Sequence, residues 1–547
     1  MNGYVNEGIP NMKNVPLSES VDALVIGAGF AGLYMLHKLR SLGFSVKVVD
    51  AASGVGGTRY WNRYPGARCD VDSMFYSYSF DKKLEQEWEW TERYPSQPEI
   101  LRYANHVADR FDLRPDIHLE TKIVSAKYAD EAMRWIISSE AGDRFTAQFC
   151  IMATGCLSVI NQPIVNGLES FSGRILNTGQ WPHESIDFTG RNVGILGTGS
   201  SGVQAIPEIA KQANELFVFQ RTASYVVEAF NHPLDVDEQK SIKKNYQQLR
   251  QTAKETFGGF SMTFNDQSAL SVPEEECNAQ LEKGWRSGGI GLLGSYNDFG
   301  TSEGANLRAQ NFVRNKIFEK VKDKNIAKRL MPRHIIGCKR LCLGTNYFET
   351  YNFDNVSLIS LENEGIEKFT PAGLVVNGKD YPIDDFIFAT GFDAMTGALS
   401  RIEIRGRNNK LLKKAWEVGP RTYLGLMSNG FPNLFTITGP GSPSVLSNML
   451  PTIEHHVEWI SDCLVYLREH NLTEIDANLK AQDAWVEHGN ELASQTLRYT
   501  CSSWYLGANI PGKPRVFMPY IGGMPSYRKK CLAVATAGYQ GFDIKSH

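Results

Sequence analysis

The stretch VDALVIGAGFAGLYMLHKLRSLGFSVKVVD, Val21 to Asp50, runs from a β-rich apolar segment through Gly27, Gly29 and Gly32 into an amphipathic helical pattern. It leaves through a second short strand, VKVVD. Each glycine has a physical task. The first permits a tight turn, the second lets a pyrophosphate approach the backbone, and the third lets helix and strand pack closely. The helix amino terminus then offers free N–H groups and a positive dipole end to phosphate. Asp50 closes the second strand, 18 residues beyond Gly32, where an acid can accept from ribose hydroxyls. In this strand, helix, strand and acid context the glycine spacing predicts a dinucleotide-binding unit.

A second copy follows in RNVGILGTGSSGVQAIPEIAKQANELFVFQRT, with Gly197, Thr198, Gly199, Ser200, Ser201 and Gly202 at its turn. Its second strand ends in FQRT instead of an acid. Arg221 can clamp a 2′-phosphate bidentately and Thr222 can donate a hydroxyl, so this unit is expected to prefer NADPH to NADH. Two echoes, CIMATGCLS around Ala153 to Gly155 and FIFATGFDA around Ala389 to Gly391, are strands running into small-residue turns beside a nucleotide or a domain crossing. Paired dinucleotide folds with two such crossings are the organisation of a flavoprotein in which the first unit holds FAD and the second presents NADPH. The expected fold class is α/β, with two Rossmann-like domains and a helical insertion. The FAD domain would span 1–155 and 391–547, the NADP domain 156–225 and 335–390, and the insertion 226–334. Polar amphipathic stretches such as DEQKSIKKNYQQLRQTAKETF and FVRNKIFEKVKDKNIAKRLMP mark that insertion, with SGGIGLLGSYND (Ser287 to Asp298) as a Gly-rich loop inside it.

Composition excludes several classes. At 547 residues the chain exceeds the size of one hydrophobic core. Lys plus Arg (57) nearly balance Asp plus Glu (60), so no global field draws it to nucleic acid or anionic lipid. The amino terminus lacks the basic start and apolar core of a secretory signal, and no apolar run reaches the ~18 residues of a membrane span. Nine cysteines without a CxxC pair fit a reduced cytoplasmic protein, acting as a monomer or a weak homo-oligomer. No metal site is expected: Cys338 and Cys342 lack nearby His or Cys partners, and adjacent His455 and His456 would diverge on a helix. The missing CxxC also removes the disulfide reductases, which share the paired folds.

Beyond the first unit lies GVGGTRYWNRYPGARCDVDSMFYSYSFD (Gly54 to Asp81), a Gly-rich turn leading into aromatic, arginine and acid residues. It resembles the flavin-side motif of the Baeyer-Villiger monooxygenases, most closely the phenylacetone and steroid monooxygenase branch. The resemblance extends over QPEILRYANHVADRFDLR, KRLCLGTNYFETYNFDNV, GFPNLFTITGPGSPSVLSNML and SSWYLGANIPGKPR, leaving only about the first dozen residues without a counterpart. It implies that FAD reduced by NADPH adds O2 at flavin C4a, and that the resulting peroxide attacks a ketone to give an ester or lactone. Arg340 would stabilise the peroxyanion and the tetrahedral oxyanion, since an always-charged guanidinium suits a developing anion. Asp70 would hold Arg340 and stay ionised beside it. Gly57, Thr58 and Trp61 would lie at the flavin, Lys339 at the NADP 2′-phosphate beside Arg221, and Trp504 over the nicotinamide half. Ser442, Pro443, Ser444, Val445 and Leu446 would border a pocket for aryl, cyclic or bulky ketones.

Two positions depart from the family pattern. In FSGRILNTGQWP (Phe171 to Pro182) Asn177 stands where the fingerprint has His, and Arg59 stands where Trp is usual. Asn177 is expected to alter coupling between domains more than bond-making. For Arg59 two readings stand: a second cation near the flavin, favouring an acidic substrate or disturbing oxygen handling, or a side chain snorkelling to solvent. Other activities also stay open: N- or S-oxygenation, uncoupled NADPH oxidation, or a flavin- and NADPH-binding regulator without turnover.

Overall fold

The computed structural model describes residues 17–260, 264–362 and 365–546. The amino-terminal extension, for which the sequence leads us to expect partial disorder, lies outside them. Val21 to Asp50 forms the strand Ser18–Ile26, the helix Phe30–Ser41 and the strand Val46–Val49. Ser18–Ile26 pairs in parallel with Val46–Val49 on one side and with Arg144–Met152 on the other. This sheet of eight strands extends antiparallel through Arg134–Ser139 and Ile123–Ala129, and takes in Glu403–Arg405 and Leu434–Thr436 from late in the chain. A parallel centre covered on both faces demands continuous apolar runs, and Ala23, Leu24 and Val25 are fully buried.

The second unit is a five-stranded parallel sheet in the order Val356–Ser360, Glu215–Gln220, Asn192–Leu196, Asp385–Phe388, Arg174–Asn177. The buried Asp385 carboxylate at its edge is held by Arg174 and Arg191, which outweigh burial and keep it below the usual carboxylate range.

The polar stretches form the helices Val236–Lys244, Tyr246–Glu255, Glu274–Arg286, Glu303–Lys320 and Lys324–Leu330. They serve both cores. The Tyr246 hydroxyl donates to the Met74 carbonyl at 2.7 Å and Arg250 pairs with Glu85, so the first two helices join the core of the first unit. Leu281, Ala309 and Val313 pack against the second sheet. The Gly-rich stretch expected as a loop is wound into a 3-10 helix at Gly289–Gly294, because Gly288 and Gly289 take positive φ and turn the chain back onto Glu274–Arg286.

The helix Met449–Glu469 packs on Phe30–Ser41. His456 is fully buried, its Nδ1 accepting from the Thr438 N–H at 2.9 Å and its Nε2 lying 2.8 Å from the Tyr527 hydroxyl. Its partners are those of a packing residue. Among the described residues no helix is long and apolar enough to cross a membrane.

Burial, aided by Arg528 and Lys254, lowers the His455 pKa from 6.5 to about 3. The unfolded chain therefore binds a proton between those values that the native chain does not. Stability is complete above pH 6.5 and falls on acidification by about 1.4 kcal/mol per pH unit for such a residue. Replacing His455 with Gln is expected to flatten the fall in melting temperature between pH 7 and 5, read by thermal melts at both pH values.

Candidate active site

Both glycine turns are shaped by one contact. Gly27 has φ +113° and a Cβ there would strike the Ala153 carbonyl oxygen; Gly197 has φ +114° and a Cβ would strike the Ala389 carbonyl oxygen. The two ATG segments are thus what closes each turn from behind. Gly32 and Gly202 likewise press on the carbonyls of Gly27 and Gly197, which seats each helix on its strand. In front, Gly29 and Gly199 begin the helices Phe30–Ser41 and Ser200–Ala210, which have no side-chain cap and no acid in their first turns. The leading N–H groups remain for an anion, and a Cβ on Gly199 would meet nothing within 4 Å. These cradles fit dinucleotide phosphates.

Asp50 accepts from the Ala28 N–H at 2.6 Å and the Ala52 N–H at 2.8 Å. Burial still raises its pKa above the ordinary value. Four lone-pair sites on a carboxylate leave two for ribose hydroxyls. Gly57, at φ +53°, sits with its Cα against Gly29, so the Gly-rich turn of the second motif forms the far wall of the first cradle. Thr58 and Trp61 lie on the following helical turn, Thr58–Trp61.

At the second cradle the Thr198 hydroxyl reaches the Thr222 carbonyl at 3.2 Å, and Ser200 Oγ lies 3.6 Å from Cys342 Sγ. Ser201 is half-buried one residue further on. The strands Val226–Glu228 and Cys342–Gly344 pair in parallel, which brings the chain at Arg221 and at Lys339 to the same end of that ribbon. Arg221 and Thr222 are exposed, and neither Arg221 nor Lys339 has an ion-pair partner among the described residues. Cys338 packs in an apolar cluster with Cys501, away from Cys342, so the CxxxC spacing brings no thiols together.

Arg340 and Asp70, 270 positions apart, form a bidentate pair through Nε with Oδ2 and Nη2 with Oδ1 (2.9 Å). Arg340 Nη1 also donates to the Val445 carbonyl at 2.8 Å. Burial favours the neutral acid, but the guanidinium outweighs it and holds the Asp70 carboxyl below the usual range. Three of five guanidinium N–H groups are used, leaving two for a substrate oxygen. Around this pair lies an apolar cluster of Cys156, Met395, Val445, Tyr505, Met518 and Ile521, with Leu446 and Trp504 packed against it. Ser442 and Ser444 turn their hydroxyls to the Gly439 and Thr438 carbonyls of their own loop, so the loop presents its apolar side chains.

Three features escaped the sequence reading. The Val445 backbone carbonyl steers Arg340, and no side-chain pattern announces a backbone acceptor. Gln204 on the second helix accepts from the Tyr64 hydroxyl at 2.8 Å, joining the two units through the flavin-side motif. Asp70 also borders a cavity of about 490 Å³ shared with Val71, Phe75, Lys283 and Gly288, so the Gly-rich stretch reaches the site.

Both departures from the family pattern are decided locally. Asn177 ends the strand Arg174–Asn177, and its Oδ1 accepts from the Gly179 N–H at 2.9 Å while its buried Nδ2 has no partner. Four residues on, the Trp181 N–H donates to the Trp61 carbonyl at 3.1 Å, tying the fingerprint to the flavin-side motif. The snorkelling reading of Arg59 fails: its Nε is buried and its guanidinium carbon lies 5.5 Å from the centre of the Tyr76 ring, on the side of Asp70 and Cys69.

With no CxxC pair to take electrons from a flavin, and a fixed cation beside an apolar wall, fold and site define an NADPH-dependent flavoprotein monooxygenase. Residues 24–285 match the family model described as pyridine nucleotide-disulphide oxidoreductase. The chain is 42% identical over 522 residues to a Baeyer-Villiger monooxygenase of Pseudooceanicola batsensis, covering 95% of each. It is 41% identical to the acetone monooxygenase (methyl acetate-forming) of a Gordonia species, covering 96% of this chain and 99% of that one. An oxidised steroid monooxygenase structure bound to NADP superposes with a TM-score of 0.93 at 47% identity, covering 96% of this chain and all of that one. The chain belongs to the Baeyer-Villiger monooxygenases.

The two cradles are separable. Gly197→Ala is expected to raise the KM for NADPH more than tenfold while FAD stays bound, whereas Gly27→Ala should yield protein without FAD. Flavin absorbance of the purified variants and steady-state kinetics check both.

Proposed function

We propose that this chain oxygenates ketones with an apolar body, aryl, cyclic or bulky, with Arg340 and Asp70 as its catalytic pair. The observation that carries the proposal is the position of the pair, fixed by two carboxylate bonds and the Val445 carbonyl and walled by Val445, Leu446 and Met395. One relative is named an acetone monooxygenase (methyl acetate-forming) and one structural neighbour a steroid monooxygenase, and the second name is in keeping with an apolar wall. When bound, FAD reduced by NADPH would activate O2, one atom of which is inserted beside the carbonyl to give an ester or lactone while the other leaves as water.

The protein's own contribution is electrostatic. A guanidinium cannot give up its proton near neutral pH, so Arg340 holds negative charge on the carbonyl oxygen without quenching it. Asp70 fixes the plane of that guanidinium, and preorganised donors need no reorientation as charge develops. Tyr505, whose phenol is pushed up chiefly by burial, stays neutral beside Arg340 and adds no competing anion. Arg221 and Lys339, exposed or half-buried at one end of the ribbon, would receive the 2′-phosphate, and Trp504 would cover the nicotinamide half. Nine unpaired, buried cysteines support a reduced, cytoplasmic setting.

The deciding experiment measures NADPH consumption, hydrogen peroxide release and ester on a panel of aryl, cyclic and steroidal ketones. Ester in step with NADPH use supports the proposal; NADPH use with stoichiometric peroxide and no ester defeats it, as does oxidation of amines or sulfides alone. Arg340→Ala is expected to retain flavin reduction by NADPH while ester formation falls by about a hundredfold or more. Arg221→Ala should erode the preference for NADPH over NADH about tenfold, seen in the ratio of kcat/KM values. Asn177→His is expected to raise the ratio of ester to peroxide modestly without changing the product.

A further inference from the structure

Charges around the flavin-side motif pair off almost completely. Asp70 is saturated by Arg340, Asp72 accepts from Arg93 at 2.8 Å, and Glu92 accepts from Arg68 at 2.9 Å. Arg59 is left over. Among the described residues no carboxylate lies within ion-pair distance of Arg59, its Nε is buried without a partner, and its neighbours are Tyr76, Cys69, Tyr64 and Asp70, which is already paired with Arg340. Tyr64 does not compensate Arg59, because burial pushes its phenol up and keeps it uncharged. Arg340 and Asp70 cancel, so the local net charge of the three groups is that of Arg59 alone.

A half-buried guanidinium whose Nε is withdrawn from water without a counter-ion is unfavourable, and a tyrosine ring face offsets only a small part of that. A site retaining such a cation gains most from an anion delivered by a ligand. Three anionic groups arrive with the cofactors, and all have other hosts: the uncapped amino termini of Phe30–Ser41 and Ser200–Ala210 would face the two diphosphates, and Arg221 with Lys339 would take the 2′-phosphate. The Arg59 side chain acts instead on Asp70, which borders both the Arg340 donors and the 490 Å³ cavity.

We propose that Arg59 is a specificity-determining residue that binds a carboxylate carried by the ketone, making an oxo acid with an apolar body the preferred substrate class. This rests on the ketone-oxygenating reading and narrows it. The guanidinium and carboxylate match as planar, bidentate partners. The bond made is an ion pair only, and the oxygen insertion at the distant carbonyl is unchanged.

The test uses FAD-loaded enzyme with a matched pair, 4-oxo-4-phenylbutanoate and its methyl ester. Wild type is expected to favour the free acid at least tenfold in kcat/KM. Arg59→Met should remove that preference through the KM for the acid, and Arg59→Lys should keep part of it. Binding without turnover is read by titrating each ligand against the flavin absorbance, where the acid should bind wild type more tightly than the ester and lose that advantage in Arg59→Met. Equal handling of acid and ester by wild type overturns the proposal without any variant. So does an Arg59→Met enzyme that loses both ketones equally while its KM for NADPH or its flavin potential shifts, since the cation would then serve a cofactor. Absence of ester from both ketones would count against the ketone reading itself, while the binding titration still decides Arg59.

Discussion

The ion pair between Arg340 and Asp70 is the constraint on which the site depends. Its partners come from opposite ends of the fold: Asp70 from the flavin-side motif, Arg340 from the turn leading into Cys342–Gly344 beside the second sheet. The third bond, to the Val445 carbonyl, draws in the loop that walls the apolar cluster. A buried pair of this kind is weak evidence for stability, because desolvating two charges offsets much of their attraction. Its value lies in position. Breaking either side would leave a half-buried charge and release three chain segments from one another.

A second regularity governs the cofactor cradles. In both units the first glycine is pressed from behind by an alanine carbonyl, Ala153 or Ala389, and the third glycine by the carbonyl of the first. The same two contacts set the height of each helix above its strand and aim its free N–H groups outward. Gly57 adds a wall that only the first unit has, so repeated local geometry yields two different sites. The flavin-side motif also crosses to the second unit, through Tyr64 with Gln204 and Trp61 with Trp181, and so ties the two cradles together.

Much of this was legible in the sequence because local spacing carried it. The glycines, Asp50 and the basic ending at Arg221 each act within about thirty residues of a strand, helix and strand pattern, where chain connectivity already fixes who meets whom. The polar helices were legible from their periodicity. Their allegiance was not, since Tyr246 and Arg250 pack on the FAD-side core while Leu281 and Val313 pack on the other. The Gly-rich stretch looked like a loop because glycine disfavours regular helix, yet two positive φ values make it coil. For Arg59 sequence left two readings of equal standing, and only its burial beside Tyr76 separated them.

The sequence alone therefore determined the two nucleotide units, the direction of cofactor preference and the absence of a disulfide-reductase pair. These are properties of short segments, where residue type and spacing suffice. Tertiary structure decided which charges meet: Asp70 with Arg340 across 270 positions, Asp72 with Arg93, and Arg59 with none. Electrostatic balance is a sum over neighbours in space, and a chain does not display its spatial neighbours in order.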